Sequence, residues 1–434
     1  MYLKVTGGSV PIDGGYDTLI PQFIKVRQVF DSTMIDDIQA KIRDEVQKKG
    51  IRVKIKPGMR IAVGVGSRGI ANLGLIVRCL IDELQNLGAK PFIVPAMGSH
   101  GGATAEGQAK YLKSHGISQQ SMGVPIHSSM DVIHIGNTSS GVPVLFDKIC
   151  CESDLVIIVA RVKPHTDFKG PIESGLCKML AIGLGKHAGA SRLHKEGFEE
   201  FHHVIPEAAK VILNKVPVAF GLAVIENAYD QTAFIEAVEA SQFLEREPIL
   251  LDIAKSRMPR LYFDDLDVLI VQEIGKNISG AGMDPNITGR SGSMVDQGFI
   301  APTIQRIVAL NLTNETHGNA SGIGLADVTT KHLVNSIDFP VTYANGITST
   351  VPSSCNIPLV MNNDKEAIVV AMKTCNRIRL EEIKMVWIRN TLSLEHIWVS
   401  ESLIPFVKSR THCQVCGEPQ FIKFSDQGHM IPFE

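Results

Sequence analysis

At 434 residues the chain is long enough for two or three folded domains, and two suits its pattern best. Its 43 Lys and Arg nearly cancel its 45 Asp and Glu, which leaves no electrostatic footprint for nucleic acid or an anionic membrane surface. A hydrophobic content of 44% excludes a disordered chain, and 38 glycines against 17 Phe, 6 Tyr and 2 Trp favour an α/β enzyme over an aromatic-rich β-sandwich.

The opening MYLKVTGGSVPIDGG lacks the apolar core of a secretory signal. No uninterrupted apolar run reaches the roughly 18 residues of a spanning helix. Eight scattered cysteines suit a cytoplasmic protein with free thiols. MRIAVGVGSRG (59–69) predicts a strand entering a glycine turn, and residues 70–88 then take helical spacing. Leu73, Ile76, Leu80 and Leu84 share one face of that helix, and Gly88 stops it. KPFIVPAMGSHGG repeats the pattern of strand into glycine-rich loop, with Thr104 as N-cap of a second helix. Residues 154–160, DLVIIVA, form another buried strand. Strand, loop and helix in alternation predict two α/β domains with mainly parallel sheets. Residues 1–255 make the first and 256–434 the second. The linking segment is 245–263, and LDVLIVQEIGKNISGAGMDPN (266–286) supplies the second domain's entry strand.

Open α/β sheets bind ligands beyond the carboxyl ends of their strands, and four polar or glycine-rich loops fall at such ends: 66–69, 97–103, 162–178 and 272–286. Arg68, flanked by small residues, is suited to holding a carboxylate or phosphate in two-point contact. His100, between Ser99 and two glycines, has nothing bulky to shield its imidazole. The stretch from Val162 to Gly197 carries His165, His187 and His194 together with Lys163, Lys169, Lys178, Lys186 and Lys195. Around Lys178 the sequence is apolar and small, a setting that desolvates an amine and makes it a nucleophile, although a lysine reaching to solvent fits the same pattern. His194 equally suits an exposed helix face. In the second domain Glu273 and Lys276 occupy the corresponding loop. Cys413-x-x-Cys416 has no second CxxC to complete four zinc ligands, and an ordinary structural role is favoured.

Taken together, an Arg after the first strand, Gly-Ser-His-Gly, Pro-His after the third strand and a Lys followed by a distant His resemble the nickel-dependent lactate racemase superfamily. The resemblance runs from about Val26 to the end and implies an active site in a cleft between two domains. It implies nickel held in a pincer nucleotide, pyridinium-3,5-bisthiocarboxylic acid mononucleotide, and an isomerase that removes and returns hydride at a 2-hydroxy acid. Residue by residue, Arg68 matches the substrate-orienting arginine, His100 and His165 the two acid/base histidines, and Lys178 the lysine that tethers the cofactor. His194, sixteen residues beyond Lys178, matches the nickel ligand, and Lys276 a second-domain lysine near substrate. Arg68, Glu273 and Lys276 are also placed against the cofactor. Three positions depart from the pattern. Val65 replaces an Asp, Glu273 replaces a Gln (with Gln272 one place off), and a longer His-to-Lys interval makes Lys169 a rival tether. The departures imply a branch acting on a 2-hydroxy acid other than lactate. Cofactor-building enzymes are the implied partners, and neither nucleic acid nor membrane is expected.

Overall fold

The structure is a computed structural model that describes residues 10–66, 69–293 and 298–431. The chain forms two compact units, one from Asp31 to Met258 and the other from the chain up to Phe30 together with Pro259 onward. The division expected at 255/256 thus falls after Met258. The N-terminal segment differs from the expectation, because strand β1 (Phe23–Gln28) pairs with strands near the C-terminus. Phe23 and Val26 are completely buried there, and a cut drawn by sequence position cannot register such a long-range pairing.

Within Asp31–Met258 the strands β2 (Arg60–Val65), β3 (Lys90–Pro95), β4 (Val132–Asn137), β5 (Pro143–Asp147), β6 (Leu155–Arg161), β7 (Val218–Glu226) and β8 (Thr232–Glu239) follow in order. Five of them build one sheet in the order β3-β2-β6-β7-β8. The first four are parallel, and β8 returns antiparallel to β7. Strands β4 and β5 make a separate antiparallel hairpin. Apart from its first residue β2 is wholly buried, and β6 is buried along all but its ends, as continuous aliphatic runs require when both faces are covered. The helix Leu73–Asn86 buries Leu73, Ile76, Leu80 and Leu84 on the expected face. Gly88 ends it in the left-handed region at φ +82. Thr104 caps the helix Ala105–Ser114 by accepting the Gly107 N–H at 3.0 Å. From β2 the chain steps to β3 on one side and later to β6 on the other. Strand order therefore reverses between β2 and β6, and the loops after β2, β3 and β6 leave the same end of the sheet.

The second unit carries an eight-stranded sheet. Its strands β9 (Asp265–Ile274), β10 (Thr303–Leu312), β11 (Val328–Thr330), β12 (Leu359–Met361), β13 (Met385–Ile388), β14 (His396–Ser400) and β15 (Cys413–Gln420) join β1 in the order β12-β11-β10-β9-β13-β14-β1-β15. Pairing is parallel from β12 to β13 and antiparallel from β14 outward. The fold is mixed α/β with mainly parallel sheets. Cys413 and Cys416 both lie on β15, and their odd separation turns their side chains to opposite faces. All eight cysteines are free. Among the described residues no group of three or more His, Cys, Asp or Glu is placed to hold a metal. No described helix is long and apolar enough to cross a membrane.

Candidate functional site

Beyond β6 the chain folds back on itself. Lys163 and Ser174 exchange two backbone hydrogen bonds, 2.9 and 3.2 Å, closing a loop that contains His165. Glu173, only 1% exposed, organises this loop from inside. Its carboxylate accepts the His165 backbone N–H at 2.7 Å and lies 3.4 Å from Lys169 Nζ and 3.1 Å from Lys255 Nζ. Lys169 Nζ also donates to His165 O at 2.7 Å. Two cations thus compensate one buried carboxylate, and Lys169, the rival tether, is engaged in that pairing.

The lysine-bearing turn Leu176–Lys178 follows, running into a π-turn over Met179–Gly183. A second buried carboxylate, Glu247, accepts the Cys177 N–H at 2.8 Å. Burial pushes its pKa up to about 7, against these hydrogen bonds. A Cβ on Gly175 would stand 2.2 Å from Glu247 Oε1, so only glycine admits this carboxylate beside the turn. The turn aims Lys178 at His165, with Nζ and Nε2 2.6 Å apart. On its other side the His165 ring accepts the Asp167 backbone N–H at Nδ1, at 2.9 Å.

His194 ends the helix Lys186–His194 and is half-buried, not exposed. Its ring centroid lies 5.3 Å from that of Phe198 and 5.1 Å from that of Phe201. Phe198 is also 6.0 Å from His165, whose nearest aromatic neighbour is Phe168 at 4.4 Å. The two histidines share an aromatic wall. Burial lowers the His194 pKa to about 4, with Lys178 adding to the shift whenever its amine is protonated, so the imidazole is neutral at neutral pH. Its Nδ1 is buried with no hydrogen-bond partner.

The helix of His194 is anchored at its other end. Lys186 is fully buried, adopts φ +53 and donates from Nζ to Pro95 O at 2.5 Å. Asp147 Oδ2, also fully buried, lies 3.0 Å away as an ion pair without a directed hydrogen bond. His187 is exposed.

His100 is exposed on the loop after β3. That loop rests on the π-turn, since the Gly98 N–H donates to Gly183 O at 3.0 Å. Gly98 sits at φ +56, where an added Cβ would meet Ile182 O at 3.2 Å. From beneath, buried Gln108 donates through Nε2 to Gly98 O at 3.0 Å and to His100 O at 3.2 Å. Arg68 lies outside the described residues. The far end of its loop is held where Glu226, paired with Arg161, accepts the Ala71 N–H at 2.5 Å. In the other unit Glu273 and Lys276 stand at the carboxyl end of β9, where strand order again reverses. Glu273 Oε1 accepts from Arg389 Nε at 3.0 Å and Asn390 Nδ2 at 2.9 Å, and the Lys276 amine donates to Gly280 O.

Residues 22–200 match the model of the lactate racemase N-terminal domain. Among solved structures, the lactate racemase apoprotein from Thermoanaerobacterium thermosaccharolyticum superposes with a TM-score of 0.53 at 14% identity, over 86% of this chain and 99% of that one. The segment 22–200 is thus similar to the lactate racemase N-terminal domain, and the whole chain shares the fold of that apoprotein. A crystal structure of a Thermotoga maritima protein matches over 82% of this chain and 96% of that one, with 14% identity and a TM-score of 0.49. No curated protein sequence matches. Within the lactate racemase-like domain, the loops after β3 and β6 bring His165, Lys178, His194 and the His100 loop to one end of one sheet. Glu173, Glu247, Asp147, Gln108, Phe198 and Phe201, which hold or line this site, carried no local motif. Their roles depend on partners distant in sequence.

Proposed function

We propose that this protein is a racemase or epimerase of a 2-hydroxy carboxylic acid working through a lysine-tethered nickel-pincer nucleotide. The observation that carries the reading is the 2.6 Å contact of His165 Nε2 with Lys178 Nζ, beside a neutral His194 whose buried Nδ1 has no partner. The residues fit such a group. A pincer nucleotide brings its own sulfur and carbon donors to nickel, so it asks of the protein one amine for attachment and one neutral imidazole, not a cluster of ligands. Lys178 and His194 would supply these. Engagement of Lys169 by the buried Glu173 favours Lys178 as the point of attachment.

When bound, the cofactor supplies a hydride acceptor that can return hydride to either face of a planar 2-keto acid. The chain's own residues handle protons and orientation. A histidine with an unperturbed pKa near 6.5 can take the substrate hydroxyl proton and give it back at neutral pH. Reaction at two opposite faces calls for two such groups, and His165 and His100 are the pair assigned. The Asp167 N–H at Nδ1 and Glu173 at the backbone fix the His165 ring, while Gln108 fixes the backbone of His100. Arg68 and Lys276 keep the carboxylate-orienting role that the resemblance implies. Phe168, Phe198 and Phe201 give the site an apolar wall.

Protein co-produced with the cofactor-building enzymes tests this directly by intact mass, nickel content and isomerisation of a panel of 2-hydroxy acids. One nickel per chain and a covalent mass increment on the Lys178 peptide are expected. Stoichiometric ligand binding without mass increment, nickel or turnover would leave a carboxylate-binding protein. Turnover without either would leave lyase or Schiff-base chemistry at Lys178.

A further inference from the structure

We infer that His165 has a second task, which precedes turnover: in the cofactor-free chain it holds the Lys178 amine as a free-base nucleophile ready for acylation. This rests on the reading of Lys178 as an attachment point but is tested apart from it. The assignment follows from counting protons on one imidazole. Nδ1 of His165 accepts the Asp167 backbone N–H at 2.9 Å, so it carries a lone pair and no proton. The Asp167 carboxylate does not compete for that nitrogen, lying 3.7 Å away and accepting the Thr166 hydroxyl at 2.6 Å. A neutral imidazole with an unprotonated Nδ1 carries its hydrogen on Nε2. That hydrogen points at Lys178 Nζ, 2.6 Å away, so the amine is the acceptor in this contact and its nitrogen must bear a lone pair. An ammonium group has none. The neighbouring loop lysine differs, because Lys169 faces the buried Glu173 carboxylate, which holds it as a donor.

The reaction served is attack of Nζ on an activated acyl or thioacyl carbon. The new bond is N–C, the bond to the leaving group breaks, and the leaving group departs with the electron pair. The amine loses one proton, which neutral His165 can accept only if it first releases its Nε2 contact and turns over its tautomer, so solvent or the leaving group takes that proton. His165 acts before the bond forms, by disfavouring the ammonium form. An ordinary lysine of pKa ~10.4 is about one-thousandth unprotonated at pH 7.4, so an amine held as the free base gains up to ~10³-fold in reactive fraction.

Cofactor-free full-length protein would be treated with a limiting small acylating ester at pH 7.4, and acetylation followed at each lysine by peptide mass spectrometry. Lys178 is expected to react at least ~10-fold faster than Lys169, Lys255 and the exposed lysines. His165→Ala should bring Lys178 down to the surface rate. His165→Gln, whose amide can still donate to Nζ, should fall between wild type and Ala and covers the case in which Ala fails to fold. Surface-level reactivity of wild-type Lys178, or equal rates in wild type and both variants, overturns the inference. The two readings fail separately. A nickel-loaded holoprotein with an unreactive apo Lys178 would overturn only this one, and a reactive Lys178 in a chain that never takes up nickel would overturn only the racemase.

Discussion

Replacing Lys186 by Met should be the most damaging single change available around the site that touches no candidate catalytic group. Its ammonium and the Asp147 carboxylate are both fully buried 3.0 Å apart, and Asp147 also caps a short helix by accepting the Cys150 N–H at 2.8 Å. Removing one member of a buried pair leaves the other charge unpaired, at a cost of about 3–5 kcal/mol. Pro95 O loses its donor as well. For a unit of this size 1 kcal/mol moves the melting midpoint by about 2–4 °C, so a loss of roughly 6–20 °C is expected. The double variant Lys186→Met with Asp147→Asn removes both charges and should recover a large part of that loss. A two-step thermal melt, or urea unfolding followed by fluorescence, on the four members of this double-mutant cycle gives the coupling. A single variant that loses less than about 1 kcal/mol, or a double variant no better than the single, would refute the claim that an ion pair anchors the His194 helix.

Three further outcomes are expected. Glu247→Gln should flatten the pH dependence of stability between about 4.5 and 7. The folded-state pKa is raised by burial, so the folded chain binds more protons in that window and wild-type stability falls by up to about 3 kcal/mol as pH rises through it, a slope that pH-resolved urea titrations would register. His194→Ala should abolish nickel binding in the holoprotein while leaving its circular dichroism and melting nearly unchanged; full nickel content in that variant would remove His194 from the metal. His100→Ala and His165→Ala should each slow both directions of isomerisation by ~10²–10⁴-fold, since a catalyst cannot shift the equilibrium between stereoisomers. Deuterated single enantiomers in single-turnover assays would separate the two faces, and near-wild-type rates in both variants would leave the histidines as loop residues.

Local pattern alone carried a good deal of this protein. The aliphatic runs at 61–65 and 155–160, the helical face of Leu73, Ile76, Leu80 and Leu84, the Gly88 stop and the Thr104 cap are all set by neighbours within a few residues. The same is true of the order of strand, glycine loop and helix that predicts a parallel sheet, and of the spacing from Lys178 to His194. Tertiary structure decided what depends on distant partners. It moved β1 into the C-terminal unit, because an amphipathic strand pairs wherever an open sheet edge lies and sequence distance does not enter its hydrogen-bond ladder. It packed a half-buried His194 against Phe198 and Phe201, where periodicity equally allowed an exposed face. It separated Lys169 from Lys178 by giving the first to Glu173 and the second to His165, although both lysines follow the same histidine. The charge and reactivity of those groups follow from desolvation and from which lone pair faces which proton, and both arise only when the folded chain brings these groups together.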